Sequence, residues 1–364
     1  MTKKERVLKF LACVLCFWCV AFSLIFPKAA SEAAFEALRL CALKVVPSLF
    51  LFIVASKIFL SLGGERIFVF LFGGAFKRVF GVSKNACASV FLGLLCGYPA
   101  GAVFIGDALA KGKIERREAE SILPFVTAAS PAFLLGTVGS ELFGDIAYGI
   151  LLLLSQTASS LILLFFTRKI RLGRGFLPER DGARENMFLH LSHSISDAGI
   201  TVVSICSFIT FFSVFSETVL CFIPCPDALN ALVNGFFEVS CGFAAIAKSA
   251  ESLFLKYFAG GSILGFSGVS VLMQSGNLVC EYGVSMKKYA AGKAKQAMLC
   301  GGICFIFGLI YEKSASDMAF SFFGVGAPGI FTLTEFALIS VLVSLCVLLF
   351  CCLLLKILHF FSKK

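Results

Sequence analysis

The stretch LGLLCGYPAGAVFIG, residues 92–106, is apolar enough to lie in a bilayer, yet its centre reads Gly97-Tyr98-Pro99-Ala100-Gly101. Pro99 has no amide hydrogen and blocks a helix from continuing through it. Gly97 and Gly101 permit the backbone angles and close approach that a tight tip needs. Non-helical backbone at membrane depth is tolerated only where protein packs it or where it lines a watery cavity. The stretch therefore reads as the tip of a re-entrant hairpin within Ser89–Leu109. The half-helix that restarts near Ala100 would then point its amide end at the tip, a natural place for an anionic group.

The composition fits that setting. Of 364 residues, 59% are hydrophobic and 15% charged, and the mean hydropathy is +0.94. A soluble domain carries roughly 25% charged residues. The net charge of +10 is spread in short clusters between apolar runs, as in membrane loops, which excludes a nucleic-acid binder. The apolar run after MTKKER, Leu8–Phe26, is longer than the ~7–15 residues of a signal core and reads as an uncleaved first span. Cys13, Cys16 and Cys19 have zinc-like spacing, but no carboxylate or histidine accompanies them, so they read as small hydrophobes. The sequence assigns no metal, cofactor or catalytic residue.

Further spans are expected at Val45–Leu62, Ala147–Thr167, Ile200–Phe215, Ala297–Tyr311 and Leu333–Ile357, with Glu120–Leu142 interrupted at Ser130-Pro131. Phe254–Val279 is glycine-interrupted, while Arg66–Val79 and Ala228–Ala247 suit interfacial or protein-packed helices. A polar linker at Arg168–Asn186 holds six basic and three acidic residues and reads as cytoplasmic. The organisation expected is an N-terminal span (1–28), a first repeat (29–167), a linker (168–190) and a second repeat (191–364). Shifting the first half by 171 positions places Gly97 on Gly268, Gly112 on Gly283 and Arg116-Arg117 on Lys287-Lys288. The fold class expected is all-α, polytopic, with about 7–9 hydrophobic segments and two inverted repeats, each holding a re-entrant or broken helix. On this register, inversion puts Lys287, Lys288 and the terminal Lys363-Lys364 outside, against the charge tendency; a crossing at Ala228–Ala247 would bring them inside but make the repeats parallel.

The candidate binding groups follow from these breaks. They are Gly97, Tyr98, Pro99 and Gly101 at the first tip, with Thr127, Ser130 and Pro131 in the next segment. In the second half they are Ser267, Gly268, Ser270 and Gln274; Ser267, Ser270 and Gln274, with Asn277, line one face of an apolar segment. Glu238 in FFEVSCG is a candidate for proton or cation coupling, since carboxylates within a membrane are functional by default. GFSG at 265–268 matches the G-x-S-G of rhomboid proteases, but the only later histidine is His359, at the chain end, so no base is available.

These residues also carry a resemblance. Gly-Tyr-Pro-x-Gly-Ala at 97–102, Glu118-Ala119-Glu120, FEVSCG at 237–242 and GFSGVSVLMQ at 265–274 resemble the YlbJ-type sporulation integral membrane proteins. Those sit in the wider nucleoside-recognition (Gate) group related to concentrative nucleoside transporters. The likeness departs where an Asn-Asn pair is expected, here Thr127-Ala128, and at Leu272 and Cys96. It implies a transporter of a small anionic solute in a bacterial membrane. For this group that solute is dipicolinic acid and the membrane is the outer forespore membrane. The alternatives are a non-transporting scaffold for spore maturation, or a carrier of a nucleoside-like or other dicarboxylate solute. The partners expected are that solute and the bilayer; an assembly of identical copies is compatible with the sequence.

Overall fold

The computed structural model describes residues 3–168, 187–222 and 226–315, which are helical with no strand among them. The expected span Leu333–Ile357 and most of the linker lie outside the described residues.

An N-terminal arm comes first: α1 (Lys3–Ile25), α2 (Pro27–Leu40), a π-helical turn (Cys41–Val45), α3 (Val46–Ser61) and α4 (Glu65–Phe80). A bend of 108° separates the end of α1 from α2, and Pro27 opens α2, where a missing amide hydrogen is harmless. Cys13 and Cys16 on α1 are exposed rather than buried in protein.

The expected hairpin is present. α5 (Lys84–Cys96) and α6 (Ala100–Ala110) fold back on each other, with Ser89 Oγ donating to the Phe104 carbonyl at 3.4 Å. At the open end, Asn85 Nδ2 donates to the Lys113 carbonyl (2.9 Å) and the Ser83 amide to Glu118 Oε1 (2.7 Å). The chain thus enters and leaves on one side. A broken helix follows: α7 (Arg116–Val126), a non-helical stretch from Thr127, then a π-helical segment (Phe133–Phe143). α8 (Ile146–Phe166) and the long α9 (Met187–Leu220) complete the passage to the second half.

The second half repeats the plan at a register different from the one expected. Its hairpin is α10 (Asp227–Phe237) and α11 (Val239–Lys248), folded at Glu238. Gly235 and Gly242 sit so close that a Cβ on Gly242 would lie 2.4 Å from Gly235 Cα. The segment with GFSG is no hairpin: α12 (Leu253–Phe266) and α13 (Gly268–Val279) lie within one apolar span, Leu253–Tyr282, broken at Ser267. α14 (Met286–Ala315) ends the described chain. The equivalence is therefore a shift of 140, pairing Tyr98 with Glu238, Thr127 with Ser267, Ser130 with Ser270 and Gln156 with Gln296. Ala228–Ala247 is the re-entrant element rather than an interfacial helix.

The halves are inverted. Along α7 and α14, Glu120 meets Ser285 and Lys288 while Thr127 meets Lys293, so these helices run parallel. Along α12 and α14, Gly261 faces Cys304, Gly265 faces Gln296 and Ala297, and Phe254 faces Gly308, so these run antiparallel. α7 and α12 are equivalents, each ending at its half's break, and they point in opposite directions.

Inversion and charge agree once the hairpin is placed correctly. The Glu120–Lys288 ion pair (2.6 Å) brings the turns around 111–117 and 280–288 to one face. That face carries Lys84, Lys111, Lys113, Arg116, Arg117, Lys287 and Lys288. The opposite face, joined by Tyr148 Oη donating to the Lys256 carbonyl (2.8 Å), carries Glu141, Asp145 and Glu251 with Lys248 and Lys256, and so no excess of positive charge. The positive-inside tendency assigns the basic face to the cytoplasm. Lys287 and Lys288 lie on the same face as the 111–117 turn, not on the opposite one as the 171-residue register required.

Candidate functional site

Both hairpin tips and both helix breaks meet around one small cavity, about 60 Å³, lined by Tyr98, Ser130, Thr137, Glu238, Ser240 and Gln274. Its apolar walls come from Phe133 and Val271 beside the breaks, Ile205 and Ile209 on α9, and Leu40 and Val45 from the N-terminal arm. A cavity of this size holds a few waters or part of a small solute. Few polar groups set in an apolar wall is the usual composition of a small-molecule site.

At the first tip, Gly97 has φ 80° and ψ −179°, a backbone region essentially reserved for glycine. A Cβ there would lie 2.7 Å from the Ser130 amide nitrogen, and one on Gly101 would lie 2.3 Å from the Val126 carbonyl oxygen. The two glycines therefore seat the hairpin directly on the broken backbone of its own half. Pro99 is the N-cap of α6 without a side-chain bond. Tyr98 lines the cavity, and its Oη is buried with no hydrogen-bond partner among the described residues. The expected row of free amides is reduced, because those of Gly101, Ala102 and Val103 bond to the Gly97 and Pro99 carbonyls.

At the second tip, Glu238 is 3% exposed, and its Oε2 accepts from the Cys241 amide at 2.9 Å. It is the N-cap of α11, so a carboxylate of the chain itself occupies that helix end. Gly268 (φ 73°) seats the second break against this hairpin, where a Cβ would lie 3.1 Å from the Phe237 carbonyl oxygen.

The other expected residues divide. Ser130 and Gln274 line the cavity; Ser130 Oγ accepts from the Phe133 amide (3.2 Å) and Gln274 Nε2 donates to Ser270 Oγ (2.9 Å). Thr127 and Ser267 are fully buried and face the backbone: Thr127 Oγ1 donates to the Leu123 carbonyl (2.9 Å) and Ser267 Oγ to the Leu264 carbonyl (3.1 Å). Those two hydroxyls close the last turns of α7 and α12. Pro131 has no amide to offer the Thr127 carbonyl four residues back, so that carbonyl must find another donor.

Sequence reasoning missed the side chains that hold the first break. Gln156 on α8 grips the backbone of one residue on both sides: its Oε1 accepts from the Ala129 amide (2.8 Å) and its Nε2 donates to the Ala129 carbonyl (3.0 Å). Lys293 on α14 donates to the Thr127 carbonyl (2.9 Å), and Tyr289 Oη donates to Thr127 Oγ1 (3.0 Å). The available signal was a lone glutamine in an apolar helix; Lys293 gave none, since it sits among Lys287, Lys288, Lys295 and Gln296 on its own helix.

This architecture is a class already seen in solved structures. An outward-facing structure of a doubly substituted CNTnw, a concentrative nucleoside transporter, superposes with a TM-score of 0.51 at 12% identity, covering 83% of this chain and 86% of that one. An inward-facing, substrate-bound structure of CNTnw gives a TM-score of 0.47 at 12% identity over 84% and 88% of the two chains. The chain is thus an all-α, multi-pass membrane protein with the fold of a concentrative nucleoside transporter. Its particular likeness in sequence is to "Sporulation integral membrane protein YlbJ" of Bacillus subtilis (strain 168), 25% identical over 310 residues, 75% of this chain and 76% of that protein. The resemblance read from GYPAGA, FEVSCG and GFSG is borne out by that relative. No family model matches the chain.

Proposed function

We propose that this protein is a membrane carrier for a small solute, bound where the two hairpin tips face each other across the cavity. One observation carries the reading: Tyr98 and Glu238, equivalent positions of two inverted hairpins, line the same cavity with Ser130 and Gln274. A site shared by inverted halves lets either half rock against the other and expose it to one side at a time. A scaffold needs no such polar convergence at membrane depth.

The resemblance to YlbJ-type proteins makes dipicolinic acid the first solute to test, carried into the forespore across its outer membrane. The lining supports a restriction on how it is bound. The cavity holds the Glu238 carboxyl and no lysine or arginine, so a dianion is disfavoured there unless a proton or cation accompanies it. The same lining favours, as a second reading, an uncharged nucleoside-like solute with donors for Glu238. Uptake of radiolabelled dipicolinate and of nucleosides into proteoliposomes separates them. Saturable dipicolinate uptake, abolished by excess unlabelled dipicolinate and not by nucleosides, supports the first reading; the reverse pattern supports the second. Uptake of neither, with lost dipicolinate accumulation in a deletion strain, would favour the scaffold.

A further inference from the structure

The most unusual group outside the cavity is Lys293. It is fully buried, with no carboxylate in ion-pair contact among the described residues. Its ammonium has two partners: the Thr127 carbonyl (2.9 Å) and Gln296 Oε1 (2.7 Å). Gln296 is held in turn, its Nε2 donating to Ser160 Oγ at 2.8 Å. An ionisable side chain at this depth is costly and marks function by default. The pseudo-equivalent position in the first half, Leu153, is apolar, so the lysine is not a requirement of the repeat.

The chemistry of the break explains the placement. In a continuous helix the Thr127 carbonyl would accept from the amide of residue 131, and Pro131 has none. The carbonyl also closes the negative end of α7, where a cation is favoured. Three residues on, Ser130 lines the cavity and packs under Gly97 of the first tip.

We propose that Lys293 is the positioning residue of the first half-site, the donor that satisfies the Thr127 carbonyl left open by the break and so fixes Ser130 and the Tyr98 tip across the cavity. The assignment rests on the carrier reading for its consequence in transport, but its structural core is testable without any solute. Hydrogen exchange by mass spectrometry on the full-length protein in nanodiscs follows the amides of 125–135. Lys293→Met keeps the volume and removes the donor; a charge-assisted hydrogen bond of about 1.5–3 kcal/mol corresponds to exchange at the break faster by tenfold or more. Lys293→Arg keeps a donor and retains most of the protection. The comparison of these two variants is decisive, because both remove the lysine and only the arginine can still donate to the Thr127 carbonyl.

Lys293→Met with unchanged exchange would overturn the proposal. So would Lys293→Arg no better protected than Lys293→Met, since the lysine would then act by something other than donation to that carbonyl. In proteoliposomes, Lys293→Met is expected to raise KM and Lys293→Arg to recover most of the affinity. A parent protein that moves no solute would defeat the carrier reading while leaving the exchange result to stand or fall by itself.

Discussion

Replacing Gly97 by alanine tests the seating of the first hairpin, and the structure supplies the size of the effect. The backbone there has φ 80° and ψ −179°, which costs a residue with a Cβ about 1–3 kcal/mol. The new methyl would also lie 2.7 Å from the Ser130 nitrogen and 2.8 Å from its Cβ. That neighbour is backbone gripped by Gln156 and Lys293 one to three residues away, so it yields poorly, and overpacking adds about 1–3 kcal/mol. The sum, about 2–6 kcal/mol, is worth about 4–12 °C in the melting midpoint at roughly 2 °C per kcal/mol for a long chain. The control is Gly112→Ala in the basic turn after α6, where φ is +63° and a Cβ meets nothing within 4 Å. It carries only the left-handed strain, about 1–2 kcal/mol. Thermal unfolding of the detergent-purified variants reads both. Equal shifts for the two would refute the claim that the tip rests directly on the broken backbone.

Substitutions at three other positions probe the site and the junction of the two halves. Gln156→Leu leaves the Ala129 amide and carbonyl buried without their partner, so a loss of about 2–4 kcal/mol is expected by the same unfolding assay, and a change under 1 kcal/mol would contradict the clamp. Glu238→Gln keeps an oxygen for the Cys241 amide and is expected to melt near the parent while altering solute uptake; Glu238→Ala also loses the cap, about 1 kcal/mol further. Glu120→Gln weakens a carboxylate that is itself 5% exposed but whose partners Arg116 and Lys288 are 58% and 66% exposed. Solvent screening limits that cost to roughly 1 kcal/mol, and the difference from the parent is expected to shrink in high salt.

The first hairpin was legible because its tip announces itself with a proline between two glycines. Its partner was not, because Phe237-Glu238-Val239 contains no breaker; the turn there is made by a carboxylate capping the helix that follows. GFSG, with two glycines and a basic turn downstream, imitated a tip by local chemistry alone and drew the repeat 31 positions out of register. That slip alone set inversion against the placement of Lys287 and Lys288. Tyr98, Ser130, Glu238 and Gln274 were visible as polar groups in apolar surroundings, and the structure brings them to one cavity. Thr127 and Ser267 carried the same signal, but their hydroxyls close helix ends. Gln156 and Lys293 were missed because their meaning lies in a backbone break on another helix, a relation no local pattern encodes.

The central claim is an inverted pair of hairpins entering from opposite faces, with α12 and α13 crossing between them. Two native thiols read it directly: Cys280, exposed beside the basic turn, and Cys221, exposed beyond the end of α9. In variants that retain one or the other as the sole cysteine, labelling of intact cells with an impermeant maleimide is compared with labelling of inverted vesicles. The account predicts that Cys221 reacts only from outside and Cys280 only from the cytoplasmic face. Labelling of Cys280 from outside the cell would contradict it.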